Sequence, residues 1–459
     1  MNTSDTICSI STPQGVGAIA IVRVSGDKAF EIVNKLFKDD FEFLKIPNNM
    51  AKLGEIFENN FLIDQVIVTK YVHPHSYSGE DLVEISCHGS QYIQKKIIEM
   101  LIDRGCRIAN AGEFSMRAFL NGKMDLPQAE AIADLIDSQS EASHKLAINQ
   151  LKGNFSKKIK RMREQFVNLA SLMELELDFS EENEQFADRK ELTDLLSELK
   201  EVVQSLLNSF KLGNVLKNGI PVAIIGKPNV GKSTLLNALV DDDRAIVSHI
   251  PGTTRDTIED SFNIQGICFR FIDTAGIRVS KDEIENFGIE RTYNAIEKAD
   301  IILYMIDITM TSIEDIESEM LFLENEIDLN NKKLIIIANK IDELSEMPHH
   351  FTEWEDYDIL YISAKRRVNL EDICDALIDY VNSKKISDNT LLTNSRHYDI
   401  MAKINESIES IEKGFAESRP TDLIMVDVNT ALHYLGIATG EISTDEILNN
   451  VFGRFCIGK

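Results

Sequence analysis

Apolar residues recur along this chain with two different periods, and the points where the period changes mark its organisation. Residues 18–24 (AIAIVRV) are short, apolar and β-branched and predict a strand, as do 61–72 and 81–86. Around them the spacing is helical. Residues 27–37 put Phe30, Val33, Leu36 and Phe37 on one face, and 92–102 do the same with Ile93, Ile97, Met100 and Leu101. A further short strand is expected at 106–109, so residues 1–120 read as an α+β domain. From Pro127 the pattern turns helical and stays so. Ala129, Ile132 and Ile136 share a face; Phe155, Ile159, Met162, Phe166, Leu169 and Met173 form one stripe; Leu192, Leu195, Leu199, Val202, Leu206 and Phe210 form another.

The helical run is expected to stop between Gly213 and Gly219. Short apolar strands then reappear at 222–225, 334–338 and 359–362, and helical spacing returns in His397, Ile400, Ile404, Ile408 and Ile411 and in Val428, Leu432 and Leu435. The prediction is a multidomain α/β and α protein. An α/β domain at 217–383 is inserted into one helical domain whose halves are 121–216 and 384–459.

The strand 222–225 runs into Gly226-Lys227-Pro228-Asn229-Val230-Gly231-Lys232-Ser233, a complete phosphate loop followed by Thr234 in the first turn of a helix. The glycines let successive N–H groups turn toward a phosphate, Lys232 supplies a point charge, and Ser233 offers a hydroxyl to Mg²⁺. Three further strand ends specify the nucleotide. Asn339-Lys340-Ile341-Asp342 places a carboxylate that can accept both the ring N–H and the exocyclic amine of guanine, a pair that adenine does not present. Ser363-Ala364-Lys365 backs the base with a main-chain N–H. Asp273-Thr274-Ala275-Gly276 holds Mg²⁺ through water and brings a glycine N–H to the γ-phosphate. This order resembles the translation-factor class of GTPases and makes GTP the expected ligand.

Ser248-His249-Ile250-Pro251-Gly252-Thr253-Thr254 is the candidate first switch, with Thr254 suited to closing the Mg²⁺ shell. Ile277 stands where many small GTPases carry a water-orienting glutamine. Asp282, Glu283 and Glu285 follow, and from the residues alone they are either water-orienting groups or solvated acids. Asn229, with carbonyls of the first switch, is suited to a monovalent cation.

Charge narrows the partners. A formal charge of −27 and a pI near 4.8 argue against attraction of nucleic acid by the whole surface, so any RNA contact must be local or delivered by a partner. The densest basic run, Lys157-Lys158-Ile159-Lys160-Arg161-Met162-Arg163, is either a solvated helix face, the ordinary outcome, or an RNA-phosphate contact. The 6 cysteines include no C-x-x-C pair, the first residues lack a signal-peptide pattern, and no apolar run is long enough to span a membrane, so a cytoplasmic protein is expected. His73, His75 and His88 read as turn and core residues rather than metal ligands. Residues 112–126 read as a loop and a short packing helix.

GKPNVGKSTLLNAL, SHIPGTTRD, DTAGIR, NKID, SAK, GEFSMRAFLNGKMDLPQAEAIADLID and the terminal FCIGK together resemble the MnmE/TrmE family of tRNA-modification GTPases over essentially the whole chain. The resemblance implies an N-terminal tetrahydrofolate-binding and dimerisation domain, with Arg23, Glu84, Lys123 and Lys459 at the folate-contact positions for 5-formyl- or methylenetetrahydrofolate. It implies a homodimer and K⁺ held by Asn229, Ser248, Ile250 and Thr253. It further implies Mg²⁺ on Ser233 and Thr254, and Glu285 as the catalytic glutamate acting on water. The implied partner is the flavoprotein MnmG (GidA), in a heterotetramer that places an aminomethyl or carboxymethylaminomethyl group on C5 of the wobble uridine of certain tRNAs. Cys456 is left open between a reactive or folate-pocket thiol and a buried structural one. Two other readings compete. A ribosome-assembly switch of the Era or EngA type would need a KH-type GXXG loop in 384–459 or a second phosphate loop, and neither is present. A folate-dependent aminomethyltransferase merely regulated by GTP is the third.

Overall fold

The computed structural model describes residues 5–38, 41, 43–179, 189–240, 246–247, 260–272, 294–326, 332–344, 358–383, 391–453, 455 and 458. The chain divides into two compact units. One comprises Met1–Ile136, Asn149–Val203 and Ile400–Lys459, the other Asp137–Ile148 and Gln204–Asp399.

In the first unit β1 (Ile7–Ile10), β2 (Ile19–Ser25), β3 (Ala51–Glu58), β4 (Phe61–Tyr71), β5 (Leu82–His88) and β6 (Arg107–Ile108) form one sheet in the order β3-β4-β5-β2-β1-β6. All neighbours are antiparallel except β1 and β6. Helices Ala29–Asn34 and Gln91–Asp103 bury Ile32, Val33, Ile97 and Met100 in a common core with Val22, Val24, Val66, Val68, Val83 and Ile85. Two strands carried no clear sequence signal. β1 is only 4 residues long. β3 is an edge strand that exposes Ala51, Lys52, Leu53 and Glu55 and contains Gly54. A Cβ on Gly54 would lie 2.6 Å from the Phe41 ring, so the glycine is what lets that ring close over the strand.

The helix Glu113–Leu120 is more than a packing segment, because its charges are buried. The Arg117 side chain is 0% exposed and its guanidinium meets Asp5 (2.7 Å), Glu113 (3.0 Å) and Glu80 (3.2 Å), while Arg107 reaches Asp5 and Glu113 at 2.6 Å each. Buried charge of this kind is tolerated when its hydrogen bonds are met; here both terminal nitrogens of Arg117 are paired, and its Nε has no partner among the described residues. The network ties the chain before β1, the 73–80 loop and this helix into one body.

The bundle helices follow the expected periodicity with one shift of face. On Asn154–Phe179 the stripe Phe155, Ile159, Met162, Phe166, Leu169 and Met173 is buried throughout, and the helix packs on Thr421–Thr439. On Arg189–Asn218 the buried positions are Leu192, Leu196, Leu199, Val203 and Leu206, whereas Leu195 and Val202 are only half-buried. Spacings of four and three keep one seam against a neighbouring helix, and the sequence offers two adjacent leucines and valines from which packing selects. Gly213 lies inside this helix rather than at its end. A Cβ there would stand 2.1 Å from the Leu392 carbonyl, so the glycine serves close packing, and the helix runs on to Gly219 at φ +87°.

The second unit is built on β7 (Ile220–Ile225), β8 (Ile246–Val247), β9 (Asp260–Ile264), β10 (Ile267–Ile272), β11 (Ile301–Asp307), β12 (Lys333–Asn339) and β13 (Ile359–Ile362), in the order β13-β12-β11-β7-β10-β9-β8. From β13 to β10 the strands are parallel; β9 and β8 add an antiparallel edge. β7 and β11 are buried at every residue, as strands covered on both faces must be. Parallel pairing puts the C-terminal ends of β7, β11, β12 and β13 on one edge of the sheet, the place where such folds bind ligands.

Hydrogen bonds from Arg107, and then from Arg117, hold the Asp5 carboxyl below the usual carboxylate range. Burial works to raise Glu113, but Arg107, the Asn110 N–H and Arg117 outweigh it and the net shift is also downward. Folded values below the unfolded ones mean that this stabilisation is full above about pH 4 and is lost as pH falls through the depressed values. Arg117→Met is expected to cost about 3–5 kcal/mol and to flatten that acid dependence. Hydrogen exchange of the β1 and β2 amides measured against pH reads both effects.

Candidate nucleotide-binding site

Gly226 ends β7 at φ +142° and Gly231 sits at φ +105°, immediately before the helix Lys232–Val240. Neither position admits a side chain. A Cβ on Gly226 would lie 2.1 Å from the Met305 carbonyl, and one on Gly231 would lie 2.4 Å from Asn339 Nδ2. Asn229 takes the left-handed conformation at φ +66° and is exposed on the loop. Lys232 Nζ donates to the carbonyls of Gly226 (2.5 Å) and Lys227 (2.8 Å), and burial pushes its pKa down. An ammonium that is half desolvated and turned into an N–H-lined loop at a helix start is arranged to receive phosphate oxygens. Ser233 and Thr234 follow in the first helical turn, where the Ser233 hydroxyl supplies a hard oxygen of the type Mg²⁺ takes.

The NKID and SAK segments converge on this loop through one side chain. Asn339, at the end of β12, is 3% exposed. Its Nδ2 donates to the Val230 carbonyl at 2.7 Å, and its Oδ1 accepts from the Ala364 N–H at 2.9 Å. The carboxamide therefore joins the phosphate loop to the loop after β13. Lys340, at φ +72°, pairs with Asp307 at the end of β11. Burial disfavours the Asp307 charge, but donation from Lys340 and Thr309 brings its pKa down. Asp342 accepts from Ser363 Oγ at 2.6 Å, and that hydrogen bond holds its carboxyl below the usual range. Ser363 Oγ also accepts the Arg366 N–H at 3.1 Å, and Arg366 Nε stands 3.3 Å from Asp342. Lys365 follows on the exposed side of the loop. Asp342 is thus an oriented, ionised acceptor. Sequence reasoning missed Asp307 and Arg366; the strand-end acid of LYMID was the available signal for the first, and Arg366 had none.

Arg23 and Glu84 are register partners on β2 and β5 and are joined at 2.7 Å. The Arg23 guanidinium also lies over the Tyr77 ring (5.0 Å to its centroid) and the Phe114 ring (5.5 Å). Lys123 Nζ donates to the Pro74 carbonyl at 3.0 Å, and Tyr77 OH meets Ser115 Oγ at 2.7 Å. The 73–80 loop therefore touches Arg23 and Lys123, with Glu84 joined through Arg23. Gly458, at φ +102°, has its carbonyl bonded to Ser11 Oγ at 3.0 Å, two residues beyond the Ser9–Arg23 register pair. The chain just before Lys459 is thereby stitched to the same sheet. His73 Nδ1 lies 2.5 Å from the Gly79 carbonyl and His88 Nδ1 2.6 Å from Asp64.

Ser248, His249, Ile250, Pro251, Gly252, Thr253, Thr254, Asp273, Thr274, Ala275, Gly276, Glu285, Cys456 and Lys459 lie outside the described residues.

A family model described as the MnmE helical domain matches residues 126–456, and one described as the GTP-binding protein TrmE N-terminus matches residues 6–123. The chain is 47% identical over 460 residues, 99% of its own length and 99% of the relative's, to a Flavobacterium psychrophilum protein named tRNA modification GTPase MnmE. It is 48% identical over 474 residues, covering 100% of both chains, to a protein of the same name from Christiangramia forsetii.

Asp342→Asn replaces a double acceptor with an amide that can donate to a 2-oxo group. It is expected to weaken GDP binding about a hundredfold or more and to improve binding of xanthosine diphosphate, both measurable by titration calorimetry. Gly231→Ala is expected to abolish binding of either nucleotide.

Proposed function

The chain belongs to the MnmE/TrmE family of tRNA-modification GTPases, and from that premise we propose that it is a K⁺-activated GTP hydrolase working with the flavoprotein MnmG (GidA) on tRNA. The product is an aminomethyl or carboxymethylaminomethyl group on C5 of the wobble uridine, built with a one-carbon unit from a bound folate. The observation that carries the GTP part is the Asn339 carboxamide, which holds the phosphate loop and the guanine-reading loops in one piece.

In this reading residues 1–120 bind tetrahydrofolate and pair two copies of the chain, 121–216 with 384–459 form the helical domain, and 217–383 form the GTPase domain. The Arg23–Glu84 pair and Lys123 contact the folate together with Lys459. An ionised carboxylate fixed by a guanidinium is a suitable acceptor for the amide and amine of a pterin. Ser233 and Thr254 hold Mg²⁺, which neutralises phosphate charge when bound. Asn229, with Ser248, Ile250 and Thr253, holds K⁺; the exposed left-handed position of Asn229 on the loop supports that assignment. Glu285 orients the attacking water, the task left open by Ile277. Two copies of this chain and two of MnmG form a cytoplasmic heterotetramer. No helix among the described residues is long and apolar enough to cross a membrane.

GTP turnover in K⁺ against Na⁺ tests the proposal. K⁺ is expected to accelerate turnover, and Glu285→Ala to bind GTP normally while losing at least about a hundredfold in rate, on the order of 2.7 kcal/mol of barrier. Turnover that is slow and indifferent to the cation would overturn it.

A further inference from the structure

The chain carries 75 Asp and Glu among 459 residues, about one in six, yet from Ala142 to Arg163 there is none, while Lys145, Lys152, Lys157, Lys158, Lys160, Arg161 and Arg163 all fall there. Within the first unit this stretch opens the helix Asn154–Phe179. Phe155, Ile159, Met162 and Phe166 point into the bundle, and Lys157, Lys160 and Arg161, spaced i, i+3 and i+4, share the outward face. Lys152 is exposed in the turn just before the helix. None of these four cations forms an ion pair with a described residue, whereas Arg23, Lys35, Lys95, Lys96, Arg107, Arg117 and Lys200 of the same unit each have one. Arg163 reaches Glu441 at 3.4 Å, and Glu164, the first acid on the helix, pairs with none of them.

This placement is unfavourable for the helix itself. The first turn has no acidic residue, so the positive charges sit at the end where the macrodipole is already positive, and as i, i+3 and i+4 neighbours they repel one another. A local conflict of this kind, on a chain of net charge −27, is where a surface serves binding rather than folding. We infer that Lys157, Lys160 and Arg161, with Lys152, form the surface through which this protein contacts RNA phosphates. The inference rests on tRNA being the substrate and adds the place of contact. Charge complementarity selects the occupant. Several cations with no ion pair among the described residues, on an otherwise acidic molecule, suit a polyanion held by its backbone, and the acidic remainder keeps the contact local and strongly salt-dependent.

The test is binding of an unmodified tRNA transcript to the full chain across a KCl series. It compares wild type with Lys157→Ala/Lys160→Ala/Arg161→Ala and with a control, Lys28→Ala/Lys35→Ala/Lys95→Ala, which removes the same charge from other exposed positions. Each lost phosphate contact lowers the slope of log K against log salt by about 0.7–0.9. The helix variant is therefore expected to lose about 2 from the slope and roughly tenfold or more in affinity, with the control unchanged and GTP turnover without RNA intact in all three proteins. A slope unchanged in the helix variant overturns the surface and leaves the tRNA reading standing. Equal losses in both variants overturn it in favour of diffuse charge. Failure of wild type to bind tRNA even at low salt removes direct RNA contact altogether. Intact RNA binding with loss of the flavoprotein instead identifies the face as a protein dock and also overturns it.

Discussion

The nucleotide site depends on one buried carboxamide. Asn339 spends its donor on the phosphate loop at Val230 and its acceptor on the loop after β13 at Ala364, so neither loop can settle without the other. The geometry around it follows. Gly231 has to be glycine because Nδ2 of that same asparagine occupies the space a Cβ would take, and Gly226 because Met305 closes on it. An aspartate in place of Asn339 would lack the donor, and a leucine would bury two unpaired backbone groups, each costing about 1–3 kcal/mol. The segments around Asp342 and Lys232, proposed to read the base and to hold the phosphates, thus share one framework.

The first unit is held by a different device. Its sheet and the RAFLNGK segment are locked by Arg117 and Arg107 among three carboxylates. Ser115, on the same helix, and Lys123, at the end of that segment, reach the loop whose Tyr77 lies over Arg23. A charged network inside a domain contributes little net stability against an apolar alternative, but it fixes orientation. Here the groups it orients are those proposed to contact folate.

Much of this was legible in the chain beforehand, for definite reasons. The strand β7 announces itself because both faces are buried and every residue is apolar, β12 and β13 because their apolar runs 334–338 and 359–362 lead straight into NKID and SAK, and the phosphate loop because its spacing is dictated by the phosphates. Edge strand β3 and the four-residue β1 did not, because an edge strand has a polar face and a short strand has no period. The helix ends within the expected Gly213–Gly219 interval, at Asn218, and Gly213 lies inside it, because a glycine needed for close approach looks the same in sequence as one that ends a helix. The choice of Leu196 and Val203 over Leu195 and Val202 is made by the partner helix, and no single sequence contains it. Asp307 and Arg366 were hidden because their roles exist only after β11, β12 and β13 are laid side by side.

The most direct measurement is mass spectrometry of wobble-position nucleosides in tRNA from bacteria lacking their own member of this family and supplied with this chain, either wild type or Lys232→Ala. The expected result is that the wild type restores the C5-substituted uridine and the variant, folded and present at equal level, does not. Restoration by both would contradict the coupling of GTP hydrolysis to the modification, and restoration by neither would contradict the modification itself.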